Sequence, residues 1–473
     1  MAMTGFSQKT TPNCSRRQFL QNGVLAAAAA SAGGAHGQVQ GPLKKLAESK
    51  NKQKKPLKIF YTWDLSDPPR YHAEPIGPDY FDWLFSRLAG TGITFLFRCN
   101  LSGRTYYPST LMSPIDRSVI DPDNPKALQM WQRVVQVLED CDPLAEAVRA
   151  ARKYKVPIWA WWNWQEFQNV RRGWISMIDP TWYQNPRKYW STRDGSRFYH
   201  GVPDWGDAEV RARLIGLAKE SLAYDVDGIY VSSRSHSWHT CWPAPGWMDG
   251  VEPFGFNDSV VAAYKKAYGT DIRYEKYDAD AWDRVKGELY SEFLAQVGSV
   301  VHEQKKPLVL GIRPDRYNLM VLEEKRLQRV MDSIRLYKDW EKWVADGTID
   351  GLCAEQTCPH TPKIPGADIS PMQQTLPKNF PLYSWADTAT WVGGVKVPFS
   401  LRNWNRHSVA DVLTQIRTAQ AAGAAGVVLH SLYHFTAVDS AGEYIGQPPA
   451  GYGPLPRDEY FDALRAEKFF VAS

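Results

Sequence analysis

The sequence predicts an α/β fold, a (β/α)8 barrel of the TIM type with long loops at the C-terminal face of its strands. Three observations predict it. Short unbroken apolar runs alternate with amphipathic helical runs, eight strand-like runs can be placed, and charged and aromatic residues collect just after them. An open, doubly wound sheet is the alternative for the same alternation.

The eight runs are Lys58–Trp63, Ile93–Arg98, Pro157–Trp162, Val226–Ser232, Leu308–Arg313, Ile349–Glu355, Leu382–Trp385 and Ala425–Ser431. Strands buried on both faces read as continuous apolar runs, which marks a parallel sheet. Helical spacing of apolar residues runs through Tyr80–Gly90, Pro143–Lys155, Ala208–Tyr224, Ala281–Gln304 and Val409–Ala422. Gly228, Gly311 and Gly426 stand near corresponding strand positions, as expected where strands crowd.

Residues 1–37 read as a twin-arginine export signal peptide. Ser15-Arg16-Arg17-Gln18-Phe19-Leu20 precedes an apolar run from Gly23 to Ala32, with small residues suited to cleavage around Ala30-Ser31-Ala32 or Ala35-His36-Gly37. That run is too short and too Ala-rich for a membrane anchor. Residues 38–56, with six lysines and one glutamate, read as a solvated linker, and residues 57–473 as a single barrel domain. The twin-arginine translocase is the expected export partner, the periplasm or exterior the expected location, and the mature chain is expected off the membrane.

The leader and linker hold eight net positive charges, so residues 57–473 carry −3 although the whole chain is +5. That balance gives no support to a nucleic-acid-binding surface. Beyond the leader the cysteines are Cys99, Cys141, Cys241, Cys353 and Cys358, an odd and scattered set that describes no disulfide framework. Cys99 and Cys353 lie in apolar runs and read as core residues.

In a barrel of this type the chemistry sits where the strands end. The ends read Tyr61-Thr62-Trp63-Asp64, Arg98-Cys99-Asn100, Trp161-Trp162-Asn163-Trp164 with Glu166, Ser232-Ser233-Arg234-Ser235-His236, Arg313-Pro314-Asp315-Arg316, Glu355-Gln356, Trp385-Ala386-Asp387 and His430-Ser431-Leu432-Tyr433-His434. Tryptophan is abundant, 20 residues in 473, and densest from Trp159 to Trp164. Indole rings with polar rims stack on sugar faces, so Trp63, Trp161, Trp162 and Trp385 are expected as platforms, while other rings fill the core.

Three stretches carry a resemblance: Tyr224-Asp225-Val226-Asp227-Gly228-Ile229-Tyr230; Phe254-Gly255-Phe256-Asn257 with Tyr268-Gly269-Thr270-Asp271-Ile272; and Asp339-Trp340-Glu341-Lys342-Trp343 with Gly347-Thr348-Ile349-Asp350-Gly351. Over roughly residues 57–440 the chain resembles the bacterial glycosyl-hydrolase-like TIM-barrel family, glycosyl hydrolase-like family ten and its exported relatives. The resemblance implies a signal peptide and a role in polysaccharide breakdown. One departure stands out. Many such barrels carry an acid a few positions after the strand-four Asp-Gly-Ile, and here Tyr230–His236 contains none.

Hydrolysis of a glycosidic bond needs two carboxyl groups, one protonated and one ionised. Glu355 is expected as proton donor, because a half-buried site favours the protonated form. Asp315 and Asp387 are the candidates for its partner, and a structural salt bridge is the competing reading of these acids. Asp227 and Asp350, before Gly at strand entrances, read as structural. Asp64, Arg98, Asn100, Asn163, Glu166, Arg234, His236, Arg313 and His430 are expected to fix sugar hydroxyl or acidic groups. Arg98, Arg234, Arg313, Arg316 and Arg402 would make the mouth positive and suit a uronate or sulfated sugar, unless they orient the carboxylates instead.

His236, His239 and Cys241, with Cys358 and His360, superficially resemble metal ligands, but their Trp- and Pro-rich surroundings read as a lid. No metal and no cofactor is expected. No phosphate loop, dinucleotide fingerprint or nucleophile elbow occurs. The sequence therefore reads as an exported glycoside hydrolase of a complex polysaccharide, with an acidic or sulfated one as a candidate. A non-catalytic carbohydrate-binding barrel and a polysaccharide lyase are the alternatives.

Overall fold

Eight strands hydrogen-bond in chain order, each parallel to the next: β1 (Lys58–Trp63), β2 (Ile93–Arg98), β3 (Ile158–Asn163), β4 (Ile229–Ser232), β5 (Leu308–Ile312), β6 (Gly351–Ala354), β7 (Leu382–Asp387) and β8 (Gly426–His430). The last pairs with the first, from Lys58↔Gly426 to Tyr61↔Leu429, so the sheet closes. Closure is the expected (β/α)8 barrel and excludes the open sheet. The computed structural model describes residues 57–66, 76–120, 125–165, 185–233, 241–242, 253–317, 333–355, 369–387, 391–392, 395–396, 409–430 and 458–467.

Helices α1 (Pro78–Leu88), α2 (Pro125–Asp140), α3 (Pro143–Tyr154), α4 (Ala208–Leu222), α5 (Asp258–Tyr268), α6 (Ala279–Glu303), α7 (Trp340–Ala345), α8 (Val409–Ala421) and α9 (Glu459–Glu467) accompany the strands. Aspartates start several of them. Asp142, Asp207 and Asp278 each accept two first-turn backbone N–H groups, of α3, α4 and α6. Among the described residues no helix is long and apolar enough to cross a membrane.

Strand parity divides the apolar residues into two sets. Phe60, Leu96, Trp159, Trp161, Tyr230, Val309, Cys353, Tyr383, Trp385 and Val428 fill the barrel interior. Their strand neighbours, among them Ile59, Tyr61, Trp63, Phe95, Phe97 and Trp162, pack outward in the layer shared with the helices. Cys99 and Cys353 are buried, as expected.

The floor of the barrel is aromatic. Phe60 meets Trp159 and Tyr383 edge-on, each at 5.1 Å between ring centroids, and the Lys58 ammonium lies 4.1 Å from the Trp159 ring. Asp-Gly pairs make the entrances to β4 and β6. Asp227 accepts from Ile158 N (2.8 Å) and Arg152 (2.9 Å); Asp350 accepts from Leu308 N (2.7 Å) and contacts His302 (2.9 Å). A Cβ on Gly228 would lie 2.7 Å from the Trp159 ring, and one on Gly351 2.7 Å from Tyr383, so the glycines leave room for the floor. Both aspartates hold neighbouring strands in register, as their position implied.

Two strands between β3 and α4, Tyr189–Ser191 and Phe198–Pro203, and a third after β4, Cys241–Trp242, make a three-stranded antiparallel excursion from the barrel. Asp204 anchors it, accepting from Ser259 Oγ of α5 at 2.5 Å and from Gly206 N at 3.0 Å. Burial pushes the Asp204 carboxyl up to about 6, against the pull of those two donors. A raised carboxyl pKa means the fold favours the protonated acid. The stabilisation is complete below the unfolded value and is lost as pH rises through about 6. Asp204→Asn keeps the acceptor and removes the charge. In denaturant titrations the variant should gain on the parent between pH 4 and pH 7, by up to about 3 kcal/mol for a shift of this size.

Candidate active site

Glu355 follows β6 directly, and its backbone N–H donates to Ile312 O at 2.8 Å, continuing the β5–β6 ladder by one residue. Parity places it on the inner face with Cys353. It is wholly buried, 0 % exposed. Tyr230 Oη donates to its Oε1 at 2.9 Å and Ser232 Oγ to its Oε2 at 2.9 Å. Both donors stand on β4, on the far side of β5. The carboxylate reaches them because β5 carries Gly311 at the crossing point, where a Cβ would lie 2.4 Å from Glu355 Oε1 and from the Tyr230 hydroxyl. Burial first, then the neighbouring Cys353 and Glu355, hold the Tyr230 phenol far above its ordinary value, so it stays a donor.

Strand four thus contributes two hydroxyls to an acid on strand six rather than an acid of its own. The sequence reading missed Tyr230 and Ser232 as partners of Glu355, and placed Gly311 only as a point where strands crowd. Their signal was the i, i+2 spacing of two hydroxyl residues on the inner face of β4, legible once parity is assigned.

On the other side of the mouth, Asp64 forms a buried ion pair with Arg98. The same carboxylate accepts from Tyr106 Oη (2.8 Å), Ser66 Oγ (2.8 Å) and Ser66 N (2.9 Å). Burial alone would raise the Asp64 carboxyl, but the Arg98 charge and these donors together keep it below its usual value. Asn100 ties β2 to β3, donating to Asn163 O (3.1 Å) and accepting from Asn163 N (2.9 Å). Asn100 and Asn163 are both fully buried.

Above the floor, three rings from three strands meet. His430 lies 5.0 Å from Trp385 in a tilted arrangement and 6.2 Å from Trp161 edge-on, with its Nδ1 2.7 Å from Thr62 Oγ1. The Arg98 guanidinium sits 5.2 Å from the Trp161 ring. Trp161 and Trp385 are 1 % and 5 % exposed, so they line the mouth as enclosed walls and are not open platforms. Their two indole N–H groups are buried donors with no acceptor among the described residues.

The remaining expected residues sort themselves by placement. Trp63 and Trp162 point outward. Trp63 packs on Phe97 at 5.1 Å and Phe81 at 5.6 Å, and Trp162 donates to Ser221 Oγ of α4 at 3.1 Å. These two are packing residues beneath the helices, a correction to the stacking role expected of them. Asp315 pairs with Arg313 at 2.5 Å, accepts from Tyr317 N at 3.1 Å and lies 3.8 Å from the Lys338 ammonium. Lys338 is buried, and burial pulls its amine down to about 7, opposed by Asp315 and reinforced by Arg313 and Arg316. Arg316 forks onto Glu341 and stacks 3.7 Å from the Trp340 ring. The backbone of Asp387 pairs with His430, and its side chain lies outside the described residues. Glu166, Arg234, His236, His239, Cys358, His360 and Arg402 are outside them altogether, as is the side chain of Cys241.

No protein-family model and no curated protein matches the chain. Among solved structures it is similar to the spore cortex-lytic enzyme SleL of Bacillus megaterium QM B1551, at 7% identity over 89% of this chain and 76% of that one, TM-score 0.41. It is similar to a noncanonic maltogenic alpha-amylase, AmyB, of Thermotoga neapolitana, at 10% identity over 87% and 76%, TM-score 0.41. It is also similar to the Old Yellow Enzyme of Pichia sp. AKU4542, at 12% identity over 80% of each chain, TM-score 0.37.

The crossing at Gly311 can be tested by filling it. Gly311→Ala must displace the end of the Glu355 side chain or the Tyr230 hydroxyl, and overpacking of this kind costs about 1–3 kcal/mol. Denaturant melts should show that loss, and Gly311→Ala should cost much less in a Glu355→Ala, Tyr230→Phe background, which removes both groups it would meet.

Proposed function

We propose that the barrel is a glycoside hydrolase whose chemistry takes place at its C-terminal mouth, with Glu355 as one of two working carboxylates. The observation that carries this reading is a wholly buried carboxylate held by Tyr230 and Ser232. Two indole N–H donors with no acceptor among the described residues lie in the same mouth, on Trp161 and Trp385. Buried donors are almost always satisfied, so an unpaired pair lining a mouth suits an incoming hydroxyl or ring oxygen. By the β6–β7 register, which pairs Ala354 with Ser384, Trp385 stands level with Glu355.

Two hydroxyls donating to two different oxygens suit an ionised carboxylate better than a protonated acid. Glu355 is therefore assigned to the nucleophile or base, in place of the proton-donor role that its burial suggested from sequence. Asp387, at the end of the adjacent strand, is the proposed proton donor. Asp315 is less suited, because Arg313 holds one of its oxygens and Tyr317 N the other. In the proposed reaction the Glu355 carboxylate attacks the anomeric carbon, or takes a proton from the water that does, as Asp387 delivers a proton to the departing oxygen. Thr62, His430 and the two indoles would hold sugar hydroxyls.

The described arginines of the mouth each face a carboxylate: Arg98 with Asp64, Arg313 with Asp315, Arg316 with Glu341. That pairing supports the orienting role for them and a neutral sugar at the bond that is cut. The twin-arginine motif supports export of the chain, and a polysaccharide is the proposed partner.

Glu355→Gln separates the roles. Turnover should fall by roughly 10³-fold or more on both a polysaccharide and an aryl glycoside with a good leaving group. Survival of the aryl substrate alone would return Glu355 to the proton donor. Glycan binding without turnover in the parent protein would make this a carbohydrate-binding barrel.

A further inference from the structure

Outside the barrel interior lies a cavity of about 810 Å³, walled by the excursion after β3 (Arg187, Ser191, Arg193, Phe198), the start of α5 and the turn from α5 to α6 (Arg273, Tyr274). None of these residues belongs to a barrel strand. The walls are tied together: Asn257 accepts from Ser191 N at 3.1 Å and donates to Tyr189 O at 2.6 Å, and Gly255 N donates to Ser191 O at 3.0 Å. The cleft is therefore preformed.

Its charges are unevenly spent. Arg273 faces Asp258 at one wall. Asp194, which also lines the cleft, accepts from Thr192 Oγ1 at 2.7 Å and Ser196 N at 3.0 Å and keeps its negative charge, so the lining sets three guanidinium groups, Arg187, Arg193 and Arg273, against the two carboxylates of Asp194 and Asp258. Arg193 is braced by two backbone carbonyls, Arg273 O at 2.9 Å and Glu275 O at 2.6 Å, which fix its position and leave its charge uncancelled. Arg187 is exposed, and among the described residues neither it nor Arg193 pairs with a carboxylate. Every described arginine of the barrel mouth is paired, whereas this cleft holds two guanidinium groups that have no carboxylate partner among the described residues. Beside it Tyr274 is 83 % exposed, a ring left for stacking.

We propose that this cleft is a second carbohydrate site, taking an anionic unit of a glycan: a sulfate or carboxylate on Arg187 and Arg193, with the sugar face against Tyr274. The inference rests on the reading of the barrel as a glycosidase for the identity of its ligand as a sugar. It places recognition of acidic groups away from the bond that is cut, so an acidic polymer would be held here while a neutral stretch reaches the mouth.

Affinity electrophoresis through gels containing dextran sulfate, polygalacturonate or unmodified dextran tests it, using the Glu355→Gln protein so that no substrate is consumed. Retardation by a charged polymer and none by dextran is expected, the sulfated and uronic arms telling which anion is read. Arg187→Ala should weaken that binding about tenfold, as loss of one charge-assisted contact does. Tyr274→Ala should weaken it several-fold, and Lys219→Ala, which removes an exposed charge on α4, should not change it. Equal affinity of Arg187→Ala and the parent, or an equal loss in Lys219→Ala, would overturn the site. Hydrolysis of a neutral oligosaccharide by the Glu355-containing Arg187→Ala protein should match the parent. Hydrolysis without cleft binding sinks this proposal alone, whereas cleft binding without hydrolysis sinks only the catalytic reading.

Discussion

Glu355 has to reach across β5 to find its hydrogen-bond donors, and the mouth of the barrel is arranged around that reach. A carboxylate with no exposed surface is several kcal/mol unfavourable unless donors meet both oxygens. Tyr230 and Ser232 supply them from β4, which requires hydroxyl residues at i and i+2 on its inner face. β5 must be bare where the side chain passes, hence Gly311. The same geometry explains why β4 carries no acid at its end. A carboxylate in place of Ser232 would stand at hydrogen-bond distance from Glu355 Oε2, and two such groups cannot both ionise.

The rest of the mouth is built from ties between neighbouring strands. Asp64 joins β1 to β2 through Arg98, and Asn100 joins the end of β2 to the end of β3 through both backbone groups of Asn163. Thr62 reaches β8 at His430, whose ring leans on β7 at Trp385. Polar residues that looked like substrate contacts in the sequence are thus also the frame that sets the positions of the rings. A frame of satisfied, buried polar contacts is rigid, and the chemistry proposed for the mouth needs carboxylates held in fixed positions.

Much of the barrel was legible before the structure. Strands β1 and β2 match their apolar runs residue for residue, because a parallel strand buried on both faces leaves no other reading of such a run. The position of Glu355 was also legible, as the first charged residue after β6. Side-chain direction was not read, although parity contains it. Along Trp159-Ala160-Trp161-Trp162, alternate residues face opposite layers, so Trp162 belongs to the helices while Trp161 belongs to the mouth. Trp63 fails as a platform for the same reason, since Phe60 on its strand is inward. The pairing of Arg98 with Asp64 joins residues on two strands and depends on their stagger, which no local pattern records.

The Asp-Gly entrances show why the motifs that carried the family resemblance specify construction more than chemistry. Asp227 and Asp350 lie at the N-terminal ends of β4 and β6, each accepting the first backbone N–H of the preceding strand and facing a basic side chain of the helix before it. The glycine after each leaves space for a floor ring, Trp159 or Tyr383. Any barrel that closes over an aromatic floor has use for that pair of residues, whatever it binds at the opposite end. In this architecture the N-terminal face serves stability and the C-terminal face serves chemistry. A motif confined to the first therefore recurs among barrels with different substrates, and the second is where this chain departs, with two hydroxyls where an acid was expected.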